Sequence, residues 1–245
     1  MAEPAQQPVI RVNLWSGPRN ISTAIMYSFA QRSDTVVVDE PLYGYYLAHT
    51  NADSYHPGAD EVINSMETDG ERVIKWMLGN FEKPVVFFKQ MTHHLVSLDR
   101  SFMKGMINIL LTRDPQEMLP SFATDIQKPD MKDVGYLDQL RLYESLAETG
   151  KPPIVLDSKQ VLMSPEATLE KLCSAIGIPF DEAMLSWEKG GRPEDGVWAK
   201  HWYHNVHDST RFNPYQPKTD PFPDDLKPLF DECMPIYQRL RVLSI

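Results

Sequence analysis

The chain has 245 residues, 42% of them hydrophobic, so it is long enough to bury a substantial core within one α/β domain. Its formal net charge of −10 argues against broad nucleic-acid binding, which normally needs a basic surface, so an anionic ligand would require a local positive patch. Two cysteines cannot form a disulfide framework, and they fit a reducing compartment. The first residues lack the pattern of a signal peptide, and no apolar run reaches the ~18 residues of a membrane span. The sequence therefore predicts a single cytoplasmic domain over residues 1–245, with no membrane or nucleic-acid partner.

Apolar strand candidates alternate with amphipathic helix candidates along the whole chain. The strands are predicted near Ile10–Trp15, Thr35–Asp39, Val85–Lys89, Met106–Thr112 and Pro153–Asp157. Helices are predicted after the first strand, near Asp69–Phe81 and Tyr136–Ala147, around Leu169–Ile176, and at the carboxyl end. This alternation predicts a three-layer α/β/α fold with a mostly parallel central sheet.

The loop after the first strand, Gly17–Thr23, has the composition of an anion-binding site. The chain turns at Gly17-Pro18 and enters a helix that begins with hydroxyl side chains. The unpaired N–H groups of that helix and the side chains of Arg19, Ser22 and Thr23 can converge on one phosphate or sulfate. The loop lacks the Gly-Lys-[Ser/Thr] ending of nucleoside triphosphatases, so it predicts an anion other than the γ-phosphate of ATP.

A second anion site is predicted at the end of the fourth strand. Arg113 follows that strand, and Asp114-Pro115 is a strong helix start. Ser121 lies eight positions after Arg113, about two turns along the helix, so both side chains can face one ligand.

Two late segments have loop composition. Residues 187–202 mix glycines, basic residues and tryptophans, which suits a flexible lid, and basic candidates there are Lys189 and Arg192. The proline-rich stretch Asn213–Pro228 is predicted to be an extended connection, and from about residue 213 it could cover a site.

These segments together resemble the sulfotransferase family, whose members move a sulfuryl group from 3′-phosphoadenosine 5′-phosphosulfate to an acceptor. Pro18–Thr23 resembles the family's 5′-phosphosulfate loop, and Arg113-Asp114-Pro115 with Ser121 resembles its 3′-phosphate element. Residues 154–180 resemble a further strand and capped helix of the family, and 189–202 are a loose counterpart of its basic cofactor loop. The resemblance implies a P-loop nucleoside-triphosphate-hydrolase-like fold, the phosphosulfate as co-substrate, and no metal.

The resemblance also implies roles for individual residues. Arg19 would stabilise the leaving oxygen, and Ser22 and Thr23 would hold the 5′-phosphate. The residues implied in cofactor binding are Gly17, Pro18, Arg19, Asn20, Ile21, Ser22, Thr23, Arg113, Ser121, Lys189 and Arg192. The family's usual loop glycine is Ile21 here, and the choice between Lys189 and Arg192 for the 3′-phosphate stays open.

A general base must take the proton of the attacking acceptor, and two candidates follow from the resemblance. Glu40 lies in Asp39-Glu40-Pro41, which is similar to the acidic base of tyrosylprotein-type and several bacterial sulfotransferases. His93 or His94, a few residues after Lys89, is similar to the base of the cytosolic enzymes. Glu40 is favoured, with the histidines as helpers or substrate contacts.

The function expected is transfer of the sulfuryl group to a hydroxyl or amine of a small-molecule acceptor. The alternatives are a small-molecule or nucleotide kinase with a degenerate P-loop and a non-catalytic nucleotide-binding module. Tyrosines between positions 43 and 55 would suit an apolar or cationic acceptor, although core packing explains them equally well. The spacing of His201, His204 and His207 is a weak zinc signal without a cysteine pair or HExxH motif. Whether the chain forms a homodimer stays open.

Overall fold

The computed structural model describes residues 9–124 and 126–245, so the predicted span of 1–245 includes nine positions outside the described residues. Its centre is a parallel five-stranded sheet with the strand order β2-β3-β1-β4-β5. The strands are β1 (Ile10–Ser16), β2 (Thr35–Asp39), β3 (Val85–Met91), β4 (Ile107–Thr112) and β5 (Ile154–Asp157). All five predicted strands are therefore confirmed to within two residues at each end.

Helices of very different lengths connect and cover these strands. The described helices are α1 (Ser22–Ala30), α2 (Tyr43–Ala48), α3 (Ala59–Ser65), α4 (Gly70–Met77), α5 (Pro115–Phe122), α6 (Met131–Val134), α7 (Tyr136–Glu148), α8 (Ser158–Met163), α9 (Pro165–Ile176), α10 (Ala199–Trp202), α11 (His204–His207) and α12 (Lys227–Arg241). None of the described helices is both long enough and apolar enough to cross a bilayer.

Helices pack on both faces of the sheet because successive strand residues point to opposite sides. Along β3, Val85 and Phe87 join one apolar core, while Val86 and Phe88 join another. Helices α1 and α9 contribute to the first core, and α4 and α7 contribute to the second. The three-layer α/β/α arrangement is thus confirmed, and the fold is of the P-loop-like type.

The carboxyl ends of the parallel strands meet at one edge of the sheet, which is where α/β proteins of this kind bind ligands. The loop after β1 passes very close to the junction between α6 and α7. A Cβ atom placed on Gly17 would lie 2.8 Å from the Val134 carbonyl oxygen, so only glycine fits there without a backbone shift. The glycine fixes the path of the loop that enters α1.

Candidate functional site

A cavity of about 820 Å³ opens at this edge and contains most of the predicted site residues. The predicted residues that line it are Gly17, Pro18, Arg19, Asn20, Ile21, Ser22, Thr23, Glu40, His93, His94, Arg113 and Ser121. Segments far apart in the sequence therefore form one site, with the loop after β1 on one side and the residue after β2 on another.

The amino terminus of α1 is available to a ligand. The carbonyl of Ile21 accepts the first helical hydrogen bond from Ile25 at 3.0 Å, and no side chain caps the helix. The first N–H groups of a helix have no partner within it, and they carry the positive end of its dipole. Ser22 is buried and lines the cavity at this point. The local geometry is that of an anion site.

The side chain of Asn20 holds the loop in place. Its amide nitrogen donates to the Leu111 carbonyl at 3.2 Å, and its oxygen accepts from the Ser158 hydroxyl at 2.6 Å. Both bonds anchor the loop to neighbouring elements of the fold. Asn20 therefore contributes to the cavity through its position in the loop, while its amide is engaged with protein atoms.

The two predicted anion sites are in direct contact. Arg19 Nε donates to Ser121 Oγ at 3.1 Å, and Arg113 donates to the Arg19 carbonyl at 2.6 Å. Arg19 also has a left-handed backbone conformation, with φ of 52°; its carbonyl meets Arg113 just before α5, and its side chain meets Ser121 near the carboxyl end of that helix. One elongated ligand could therefore reach both sites at once.

A lysine that is not among the predicted site residues lines the same cavity as these arginines. Lys218 lines the cavity from the proline-rich stretch, together with Asn213, Pro214 and Gln216. Partial burial lowers the pKa of Lys218, and the nearby positive charges of Arg113 and Arg19 lower it further. Mutual repulsion among three cations is typical of a site that binds a multiply charged anion. The sequence predicts that the proline-rich stretch could cover a site, but it does not identify Lys218 as a site residue.

The structure does not bring Lys189 or Arg192 into the cavity lining. Lys189 pairs with Asp208 at 3.1 Å on the surface, and Arg192 pairs with Glu194 at 3.2 Å. The sequence could not exclude them because their basic, glycine-rich context matches the family's cofactor loop, whereas the ion pairs depend on tertiary structure. Neither side chain lies with the other predicted site residues, and the role of one of them toward the 3′-phosphate stays a prediction.

The segment 187–202 is also packed more firmly than the predicted lid. Trp187 and Trp198 are buried in the core, and Asp195 accepts a hydrogen bond from the Tyr27 hydroxyl at 2.6 Å. The Gly196 N–H donates to the Asp39 carboxylate at 3.3 Å. Large apolar side chains and buried polar anchors hold the segment against α1 and β2.

A buried charge cluster surrounds Glu40 at the end of β2. Lys89 Nζ donates to both Glu40 and Asp39, the latter at 3.0 Å, and to the Tyr203 hydroxyl at 2.6 Å. Tyr203 in turn donates to Asp39 at 2.7 Å and accepts from Trp198 at 3.1 Å. One ammonium thus faces two carboxylates, and Glu40, Lys89 and Tyr203 line the cavity.

The electrostatics of this cluster favour proton uptake by Glu40. Burial raises the pKa of Glu40, the Lys89 ammonium opposes that rise, and the Asp39 carboxylate adds to it. Burial alone would lower the pKa of Lys89, but the two carboxylates raise it, so the lysine stays charged. With Glu40 ionised the three groups carry a net negative charge, and protonation of Glu40 removes the repulsion between carboxylates.

The two predicted histidines lie in a turn after β3 and face the same cavity. Burial lowers the pKa of His93 to about 3 and that of His94 well below its usual value, so both are neutral. Within the described part of the chain, Nδ1 of each ring has no hydrogen-bond partner. Both Nδ1 atoms are buried, so the histidines contribute neutral rings to the cavity lining.

Further lining residues are not among the predicted site residues, although the tyrosines between positions 43 and 55 belong to the segment expected to suit an acceptor. They include Tyr43, Tyr46, Tyr55, His56, Lys89, Asp133, Trp202, Tyr203, Arg211 and Lys218. Lys89 had a weak signal, since it begins the segment that resembles the family's Lys-Thr-His element. The described residues contain no group of three or more His, Cys, Asp or Glu side chains arranged to hold a metal ion.

Comparison with known proteins identifies the family. The model of the "Sulfotransferase domain" family matches residues 10–243. Two curated proteins of Arabidopsis thaliana are similar: branched-chain-amino-acid aminotransferase-like protein 2, 39% identical over 94% of this chain, and protein 1, 40% identical over 98%. The matches cover 41% and 42% of those relatives, so the chain spans about two fifths of their length.

Solved structures agree on the fold. A sulfotransferase from Alicyclobacillus acidocaldarius superposes with a TM-score of 0.55 and 9% identity, covering 98% of this chain and 96% of that one. At this identity the likeness establishes the architecture alone. Since the family model covers nearly the whole chain, the protein belongs to the sulfotransferase family.

Proposed function

We propose that the chain transfers a sulfuryl group from 3′-phosphoadenosine 5′-phosphosulfate to a hydroxyl or amine of a small acceptor. The observation that carries this proposal is the 3.1 Å hydrogen bond from Arg19 to Ser121, which joins the two anion sites within the cavity that also holds Glu40. A donor with anionic groups at its 5′ and 3′ positions fits two adjacent anion sites better than a ligand with a single anion does.

In this proposal the donor's two ends are held differently. The amino terminus of α1, with Ser22 and Thr23, holds the 5′-phosphosulfate through backbone N–H groups and hydroxyls. Arg113, Ser121 and Lys218 hold the 3′-phosphate, and the partial desolvation of Lys218 strengthens its attraction to a dianion.

The transfer is a single displacement at sulfur. The acceptor oxygen or nitrogen attacks, the bond between sulfur and the bridging phosphate oxygen breaks, and adenosine 3′,5′-bisphosphate leaves with that electron pair. Arg19 and the helix N–H groups stabilise the charge that develops on the leaving oxygen. The acceptor's proton passes to Glu40, for which the neighbouring Asp39 makes protonation favourable.

The same electrostatics favour Glu40 over the histidines as base. A pKa near 3 makes His93 a weak base, and His94 is depressed in the same direction. The raised pKa of Glu40 makes it a stronger base than an ordinary carboxylate. The neutral rings of the histidines, which line the cavity, suit substrate contact.

Two measurements test the proposal against its rivals. Calorimetry should detect adenosine 3′,5′-bisphosphate binding without a metal, and mass spectrometry of an acceptor library with the phosphosulfate donor should detect an added sulfuryl mass. Magnesium-dependent ATP binding in place of bisphosphate binding would support the kinase. Bisphosphate binding without transfer to any acceptor would leave a passive nucleotide-binding module.

A further inference from the structure

Seven aromatic side chains form one continuous surface of the cavity beside Glu40, here called the aromatic wall. The wall consists of Tyr43, Tyr46, Tyr55, His56, His93, His94 and Trp202, all of which line the cavity. The His94 ring stacks on Tyr46 and Tyr43 with centroid distances of 4.7 and 4.9 Å. Tyr55 and Trp202 extend the wall through His56, at 5.0 and 6.5 Å.

The wall carries no positive charge of its own. Burial lowers the pKa of His56 to about 4, and both other histidines are depressed as well, so all three rings are neutral near pH 7. The Tyr43 hydroxyl is hydrogen bonded to His56 Nδ1 at 2.8 Å, which fixes the orientation of both rings. The wall is therefore a packed set of aromatic rings that carries no competing cation.

Carboxylates complete this end of the cavity. Glu40 lies next to the wall and Asp133 lines the cavity from α6. Burial raises the pKa of Tyr46 and of Tyr55, and the Asp133 carboxylate raises both further, so its negative charge acts on both tyrosines. The one lysine in the cluster, Lys89, is neutralised by Asp39 and Glu40. A cationic ligand here would meet favourable charges and ring faces together.

Resting on the function proposed above, we propose that the acceptor is a small alcohol bearing an ammonium cation. The ammonium lies against the aromatic wall near Asp133, and the hydroxyl faces Glu40. Ring faces attract a cation through their quadrupole, and Asp133 adds a Coulomb attraction in a partly desolvated site. A neutral apolar alcohol would gain the ring contact but no Coulomb attraction to Asp133, and an anionic acceptor would be repelled by both carboxylates.

The test compares two alcohols of the same shape. Choline carries a quaternary nitrogen, and 3,3-dimethylbutan-1-ol replaces that nitrogen with carbon. Both are titrated calorimetrically into the full chain, with and without saturating adenosine 3′,5′-bisphosphate, whose own binding is measured first. We expect choline to bind about tenfold or more tightly than the isostere, because cation–π and charge attraction act on choline alone.

Variants test whether Asp133 and the aromatic wall cause the preference for choline over its isostere. Asp133→Asn should reduce choline affinity about fivefold and leave the isostere unchanged, as expected for the loss of one charge contact. Asp130→Asn is the matched control, since Asp130 caps the same helix without lining the cavity and Asn caps equally well. Tyr46→Leu should weaken choline binding, whereas Tyr46→Phe, which keeps the ring face, should retain most of it.

The outcomes separate this inference from the proposed function. If the bisphosphate binds but choline shows no preference over its isostere, including when neither alcohol binds, the cationic acceptor is refuted while the transferase proposal stands. If the bisphosphate fails to bind, but the protein still binds choline more tightly than its isostere and Asp133→Asn removes that difference, the cation site is supported and the donor proposal is refuted.

Discussion

Under the proposed function, the two ends of the cavity differ in how they attract their ligands. The donor end uses backbone N–H groups at the start of α1 and a group of cations, Arg19, Arg113 and Lys218. The acceptor end uses aromatic rings and the carboxylates of Glu40 and Asp133, and its one lysine is already paired. Opposite charge at the two ends favours a fixed orientation for each ligand, so variants at one end should leave the other end's affinity intact.

The largest expected effect separates chemistry from donor binding. Glu40→Gln should reduce kcat about 10²- to 10⁴-fold, because the acceptor proton loses its base while the amide preserves size and polarity. The dissociation constant of adenosine 3′,5′-bisphosphate should change little, since Glu40 lies at the other end. Calorimetry and timed mass spectrometry of the sulfated product measure the two quantities.

A second variant identifies the base if Glu40 is not essential. His94→Gln should leave most of kcat, because a histidine with a strongly lowered pKa is a poor base. Near-normal turnover in Glu40→Gln together with loss of turnover in His94→Gln would assign the proton to the histidine.

A smaller effect is expected at the donor end. Lys218→Ala should weaken bisphosphate binding about tenfold, as expected for the loss of one charge-assisted contact, with kcat at saturating donor nearly unchanged. Lys189→Ala removes the same charge from a surface ion pair outside the cavity, so it serves as the matched control with unchanged affinity. If Lys189→Ala weakens bisphosphate binding more than Lys218→Ala does, the 3′-phosphate is bound by the segment that begins at Lys189.

The smallest effect is a shift in the pH profile. Catalysis requires ionised Glu40, so kcat/KM should fall as the pH drops below its raised pKa. Asp39→Asn removes a repelling carboxylate, lowers the pKa of Glu40 and should move this acid limb down by about one pH unit. Lys89→Met removes the attracting ammonium and should move the limb upward. Equal profiles in all three proteins would exclude the carboxylate cluster from control of the base.

The sequence was sufficient to predict the fold and the turn and helix start of the loop Gly17–Thr23, for a physical reason. Buried parallel strands appear as apolar runs, and the loop Gly17–Thr23 is contiguous, so its turn and helix start are visible in local order. Arg113 precedes α5 and Ser121 lies near its carboxyl end, so their spacing can also be recognised in the local sequence. Their contact with Arg19 could only be expected from the rule that parallel strands end at one edge.

The remaining parts of the site depend on contacts that local sequence does not encode. Lys218 lies in a proline-rich stretch without a periodic signal, and its approach to Arg113 follows from the path of the chain over the cavity. Trp202 and His56 meet although 146 positions separate them. Lys189 and Arg192 matched a compositional pattern, yet local ion pairs engage them.

The left-handed backbone at Glu40, with φ of 43°, has an evolutionary consequence. A non-glycine residue in this conformation costs on the order of 1–3 kcal/mol, which glycine or asparagine would largely recover. Selection for turnover would keep the carboxylate at that cost, whereas a descendant that had lost turnover would be free to drift toward the relaxed residue. Glycine or asparagine at the position equivalent to 40 would therefore mark inactive members among homologous genes.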